Sequence, residues 1–208
     1  MNCWLASIAL ASFAWNAAWA APSCAPTPAL GTQHYPGARA ITPSNDLTRA
    51  AGKATSSPGE RLVLHGRLLD SQCLPLQGVA IELWQANAYG HWRVAAPDER
   101  VNSSVIFNGA GRTVTDGDGN FTFISVFPGS GKGVAPRLYV HVHRPDGRAS
   151  FNTQLFFGED WRNARDATYK RLNTAARQGV TMQMQPAEQG YSATHTIVLP
   201  IKARYRSY

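Results

Sequence analysis

Arg112-Thr113-Val114-Thr115-Asp116-Gly117-Asp118-Gly119-Asn120-Phe121-Thr122-Phe123-Ile124-Ser125-Val126 is the stretch whose reading decides the fold class. Two runs rich in β-branched and aromatic residues flank an acidic Gly-containing cluster. Such side chains fit a pleated surface, and Asp-Gly supplies a tight reversal. The pattern predicts a hairpin, with one strand over 112–115, a turn over 116–119 and the partner strand over 120–126. Asp116 and Asp118 also invite a calcium reading. An EF-hand loop requires further oxygen ligands and a distal Glu that do not follow here, so an ordinary turn is favoured.

Outward from this stretch the texture repeats. Residues 61–69 alternate, 73–78 read as a turn, and 79–85 form a β-branched and aromatic run. A loop over 86–111 follows. On the other side come a Gly-rich loop over 128–133 and strands over 137–143, 150–157 and 194–200. Only 160–178, with its alternating charges and alanines, suggests a short surface helix. Short strands separated by Gly and Pro turns point to a mainly β protein, an antiparallel β-sandwich rather than a parallel sheet.

Residues 1–20 contain no Asp, Glu, Lys or Arg and carry an apolar stretch from Trp4 to Trp15. This reads as a secretory signal peptide cleaved before Ala21. Asn16 interrupts a stretch already short for a membrane anchor. The expected organisation is a signal peptide over 1–20, an irregular arm over 21–59 and the sandwich over 60–208. The expected location is periplasmic or extracellular, with no membrane association after cleavage. Cys3 leaves with the leader, so Cys24 and Cys73 remain. In an oxidising compartment a disulfide is favoured over two free thiols, and it would hold the arm near the 79–85 strand. The net charge is +7, but no run of Lys and Arg is dense enough for a nucleic-acid patch. The charge is read as solubility and mild attraction for carboxylated small molecules.

Function concentrates in Tyr139-Val140-His141-Val142-His143. Histidines at i and i+2 project from one face of a strand, with Cα atoms about 6.5–7 Å apart. Two imidazoles can then converge on one metal ion. The alternative is a metal-free pair hydrogen-bonded in a polar pocket. Tyr139 shares the face but lies about 13 Å from His143 at Cα. Tyr89, His91, His34 and Tyr35 are further donors that could approach, and Trp84 and Trp92 read as core or pocket wall.

The order of segments resembles the intradiol ring-cleavage dioxygenases of the catechol and protocatechuate type, and more closely their exported members. The resemblance rests on Asp46-Leu47-Thr48, Gly66-Arg67-Leu68-Leu69-Asp70, Pro75-Leu76-Gln77-Gly78-Val79 and Glu82-Leu83-Trp84-Gln85-Ala86-Asn87. It continues through 107–113, 115–119, Pro128-Gly129, His141-Val142-His143 and Thr153-Gln154-Leu155-Phe156-Phe157. It implies the intradiol sandwich core and a mononuclear non-haem Fe(III) held by two tyrosines and two histidines. It also implies a catechol-type aromatic ligand opened with dioxygen. Cys24 and Cys73 resemble the cysteine pair of exported members.

His141 and His143 fall on the family's histidine ligands, but the tyrosine positions hold Trp92 and Gly131. Arg137 stands one position upstream of the family's charge-stabilising arginine and is the candidate catalytic residue; Leu138 occupies the aligned place. Gln154 is expected beside the site as a hydrogen-bonding support. Without two anionic donors, metal preference is expected to move from Fe(III) toward divalent ions such as Zn, Cu or Ni, or toward no metal, with Tyr139 the candidate replacement ligand. Three functions follow. One is a dioxygenase of catechol-type diols with an altered metal shell. Another is a non-catalytic exported binding module for an aromatic or other small ligand. A plain structural sandwich of the transthyretin-like sort is the third.

Overall fold

A computed structural model describes residues 24–31, 41, 43–49, 54–92, 107–144 and 150–202. The expected signal peptide, His34 and Tyr35 lie outside the described residues. Among the described residues eight strands follow one another: β1 (Arg61–Leu69), β2 (Ala80–Trp84), β3 (Ala110–Val114), β4 (Asn120–Val126), β5 (Arg137–Val142), β6 (Phe151–Phe157), β7 (Thr181–Ala187) and β8 (Gly190–Val198). They form one curled sheet in the order β3-β2-β5-β6-β7-β8-β1-β4. The sheet bends where β6 meets β7, which pair only at Phe156↔Thr181 and Phe157↔Met182. The two halves then face each other as a sandwich.

The core fills the space between them. Alternation in β1 sends Leu62, Leu64 and Leu68 inward, and β4 adds Phe121 and Phe123; Ile81, Leu83, Leu138, Val140, Val142 and Leu155 meet them from the other half. Gly66 leaves room for an aromatic ring, since a Cβ there would lie 2.0 Å from the Phe121 ring.

The sandwich is mainly antiparallel, but β6–β7 and β1–β8 are parallel pairs. The hairpin expected from 112–126 requires correction. Its turn forms: Gly119 N donates to Asp116 O at 3.0 Å, and Asp116 Oδ1 accepts from Asp118 N at 3.0 Å and Asn120 N at 2.7 Å. The carboxylate is thereby committed to its own turn. Yet β3 pairs with β2 and β4 with β1, at opposite edges of the sheet. Thr115 is bound to Leu76 O and Val79 N of the β1–β2 connection, and Leu68 N takes Gly119 O. The chain leaving the turn is captured by β1, so the turn carries it from one half to the other.

Two further segments differ from expectation. β7 has no counterpart among the predicted strands; Met and Gln give it little β signal, and Pro186 argues against a strand. Pro186 is tolerated because the β6 pairing stops at Met182. The single helix expected over 160–178 is three short turns: a 3-10 turn (Trp161–Arg165), α1 (Ala167–Arg171) and α2 (Thr174–Gln178). Asp160, Asp166 and Asn173 each stand in extended backbone and cap the turn that follows, which breaks the run.

The arm is irregular but bound. Cys24 and Cys73 form a disulfide with a Cα separation of 5.3 Å. From there Thr27 N donates to Val198 O and Leu30 N to Asn152 O, both at 3.0 Å. The described arm therefore crosses β8 and β6 rather than lying along the 79–85 strand. Farther on, Arg112 N donates to Ser44 O at 3.0 Å and Ile124 N to Asn45 O at 2.8 Å, while Leu47 is wholly buried in the core. The arm thus bonds both edge strands and joins the ends of the curled sheet.

Candidate metal centre

Residues paired across adjacent strands share a sheet face. Arg112 on β3, Glu82 on β2, His141 on β5 and Asn152 on β6 are successive partners, forming one row on the face opposite the core. Ala110, Trp84, Tyr139 and Gln154 form the next row. Rows two residues apart are about 6.5–7 Å from one another. β2 and β5 are buried on both faces, because the arm and the helical turns cover much of this side.

His141 and His143 come together as their i, i+2 spacing predicts, with ring centroids 4.9 Å apart. Glu82 completes a group of three in which the donor atoms all lie within 4.8 Å of one another. His143 Nε2 and Glu82 Oε1 are 2.6 Å apart, and the Arg112 guanidinium is also bound to that oxygen. Burial pushes the Glu82 carboxyl up, but hydrogen bonds from His143 and Arg112, with their charges, outweigh it and hold the group below the usual carboxylate range. Glu82 is therefore an ionised carboxylate inside the protein. Asn152 Oδ1, which can only accept, lies 2.6 Å from His141 Nδ1. In the neutral ring that contact places the proton on Nδ1 and the lone pair on Nε2.

The second row forms an aromatic wall beside this group. Trp84, Ala110 and Tyr139 are buried together, with Ile41 and Trp92 packed against them. Trp92 meets Tyr139 edge to face at 5.3 Å between centroids. Burial, with the Asp166 charge and against that of Arg137, raises the Tyr139 hydroxyl above its ordinary range and favours the neutral phenol. Arg137 lies four residues before His141, about 13 Å away along the strand. It is buried and bound to Asp166, to Gln154 Oε1 at 2.6 Å and to Ala135 O at 3.1 Å, with its guanidinium over the Phe156 ring. The structure gives it a bracing position rather than one beside the histidines. Gln154 links Arg137 to Gly31 O of the arm. Gly131, Tyr89 and His91 are exposed.

Glu82, Asn152 and Asp166 were not singled out by sequence reasoning. Glu82 carried a signal, being the one ionisable residue in the 79–85 run; a charge inside a buried strand requires partners. Asn152 and Asp166 carried none. A groove of about 580 Å³ lined by His65, Arg67, Thr122, Thr194 and His195 lies on the other half, and Glu82, His141 and His143 do not line it.

The curled mixed sheet carries the two histidines on the face opposite its core. A family model described as dioxygenase matches residues 35–199, and the chain belongs to the intradiol dioxygenase family. It is 29% identical over 187 residues to the protocatechuate 3,4-dioxygenase beta chain of Burkholderia cepacia, covering 84% of this chain and 80% of that protein. A putative dioxygenase of Rickettsia conorii is 32% identical over 92 residues, 41% of this chain and 44% of the relative. Among solved structures, the dioxygenase domain of a dioxygenase carbohydrate-binding protein fusion from Streptomyces sp. SirexAA-E superposes with a TM-score of 0.68 at 27% identity. That match covers 86% of this chain and all of the domain. An intradiol ring-cleavage dioxygenase from Tetranychus urticae shares the fold, with a TM-score of 0.67 at 19% identity over 88% of this chain and 98% of that one.

Proposed function

We propose that this chain is an exported dioxygenase of catechol-type aromatic diols. The observation that carries the reading is the placement of the Trp84–Tyr139–Trp92 wall one row from the His141–His143 pair, in a chain of the intradiol family. An aromatic ring stacks on the wall, and its two hydroxyls then point along the sheet face toward the histidines. His141, its ring orientation fixed by the Asn152 contact, faces the diol hydroxyls, one of which ionises on this face. The Arg112 guanidinium, 43% exposed at its side chain, supplies positive charge to the oxygen so formed. A carboxylated diol is favoured over a neutral one by the net charge of +7 and by the Burkholderia relative, whose name specifies protocatechuate. The Cys24–Cys73 disulfide supports an oxidising compartment.

The test measures oxygen uptake and ring-absorbance loss by the purified protein with catechol and with protocatechuate, alongside quenching of tryptophan fluorescence. Diol-dependent oxygen uptake is the expected result. Trp92→Ala should weaken diol binding about threefold to tenfold, the range of one aromatic pair. Saturable quenching without oxygen uptake would establish the non-catalytic binding module instead, and the absence of both would end the reading.

A further inference from the structure

The family resemblance implies a ferric ion held by two tyrosinates and two histidines, and the described residues of this chain do not fit that set. The aligned positions hold Trp92, whose indole packs on Tyr139, and Gly131, exposed and without a side chain. Of the other described tyrosines, Tyr89 is 66% exposed, Tyr169 is hydrogen-bonded to Thr181 Oγ1 at 3.0 Å, and Tyr191 packs beside Phe127. Tyr139 is buried in the wall. What the sheet does bring together is one carboxylate and two imidazoles.

We propose that Glu82, His141 and His143 form a divalent-cation site of the two-histidine, one-carboxylate kind. Three features of the cluster carry this assignment. The donor atoms already lie within 4.8 Å of one another, so small rotations of side chains bring them to metal-bond distances of about 2.0–2.2 Å. His141 is pre-set as a ligand, its Nδ1 proton held by Asn152 and its Nε2 left as the lone-pair donor; such outer contacts fix the orientation of ligating histidines. Glu82 is buried, at 4% exposure, and oriented by Arg112. A bound dication takes the place of the proton shared between His143 Nε2 and Glu82 Oε1, and that proton leaves to solvent. Two neutral imidazoles and one carboxylate leave a net charge of +1 on the site and positions for further ligands. This donor set is the one used for Fe(II) in non-haem oxygenases and for Zn(II) in hydrolytic sites, whereas the family's ferric ion is served by hard phenolates. The assignment rests on the same sheet face as the proposed diol site, but metal binding is measured without any diol.

The experiment is calorimetric and thermal-shift titration of the metal-stripped full chain with Zn(II), Co(II) and, anaerobically, Fe(II), with the visible spectrum of the Co(II) form recorded. One ion per chain is expected, with a rise in melting temperature. His143→Ala, at a side chain 42% exposed, and Glu82→Gln should each lower affinity by about 100-fold or more, beyond the range for supporting contacts. Asn152→Ala should lower it by about 10–100-fold. Arg112→Ala, which keeps all three ligands, should retain one ion per chain. Circular dichroism of the metal-free variants checks that each is folded. Unchanged binding in folded His143→Ala, or a tyrosinate-to-iron absorption band on loading with Fe(III), overturns the assignment. Oxygen uptake in the presence of diol is scored separately, so failure of either reading leaves the other standing.

Discussion

Asp166 holds two tasks in one side chain. Its Oδ1 accepts from Thr168 N and Tyr169 N at the start of α1, while Oδ2 accepts from Ala135 N and is paired with the buried Arg137. The substitution Asp166→Asn separates them, because Asn caps a helix as well as Asp does but cannot balance the guanidinium. The expected loss is about 3–5 kcal/mol in denaturant unfolding, the usual consequence of leaving one buried charge uncompensated. A loss below about 1 kcal/mol would show that Arg137 finds another partner. The residue scale also shows how unevenly the site was written into the sequence. His141 and His143 were legible because strand period 2 fixes their common face whatever the neighbouring strands are. Glu82 becomes a member of the site only through its pairing with His141, a relation between strands far apart in the chain, and no local pattern states it.

The same distinction governs the elements. Alternation identified which face of β4 is buried but not which strand lies beside it, so the turn over 116–119 was legible and its topology was not. Phe121 and Phe123 find the same core whether β4 neighbours β3 or β1; the choice falls to Thr115 and the β1–β2 connection. At the meeting of β8 and α2, His195 is partly buried with Nε2 3.2 Å from Gly179 O. Burial lowers its pKa below the ordinary histidine value of 6.5, outweighing its backbone contacts. The native state then favours the neutral ring more than the unfolded chain does. The corresponding stability is fully present above about pH 6.5 and is lost as pH falls from there through the depressed native value. Melting temperature measured from pH 7.5 to 5 should fall in that window, and His195→Gln should flatten the fall. An identical slope in the variant would place the effect elsewhere.

The whole molecule depends on connections distant in sequence. The Cys24–Cys73 bridge closes a separation of 49 residues, and a loop of that size corresponds to about 4 kcal/mol in the chain-entropy model. Reduction, or replacement of both cysteines by Ser, should therefore lower unfolding free energy by up to about 4 kcal/mol; no change under full reduction would mean that the other arm contacts suffice. The cysteine count made this bond legible. The path of the arm after it was not, since 21–59 carries no period from which a register could be read.

That path has a consequence for how the protein behaves among its own copies. A sheet of eight strands ordinarily ends in two rows of unpaired amides and carbonyls, each a template for strand addition by a neighbour. Here Ser44 and Asn45 occupy amides on both rows, at Arg112 and Ile124. The segment with no secondary structure of its own therefore serves as a guard against self-association. A shortened chain lacking it would open these amides to strand addition by a neighbour.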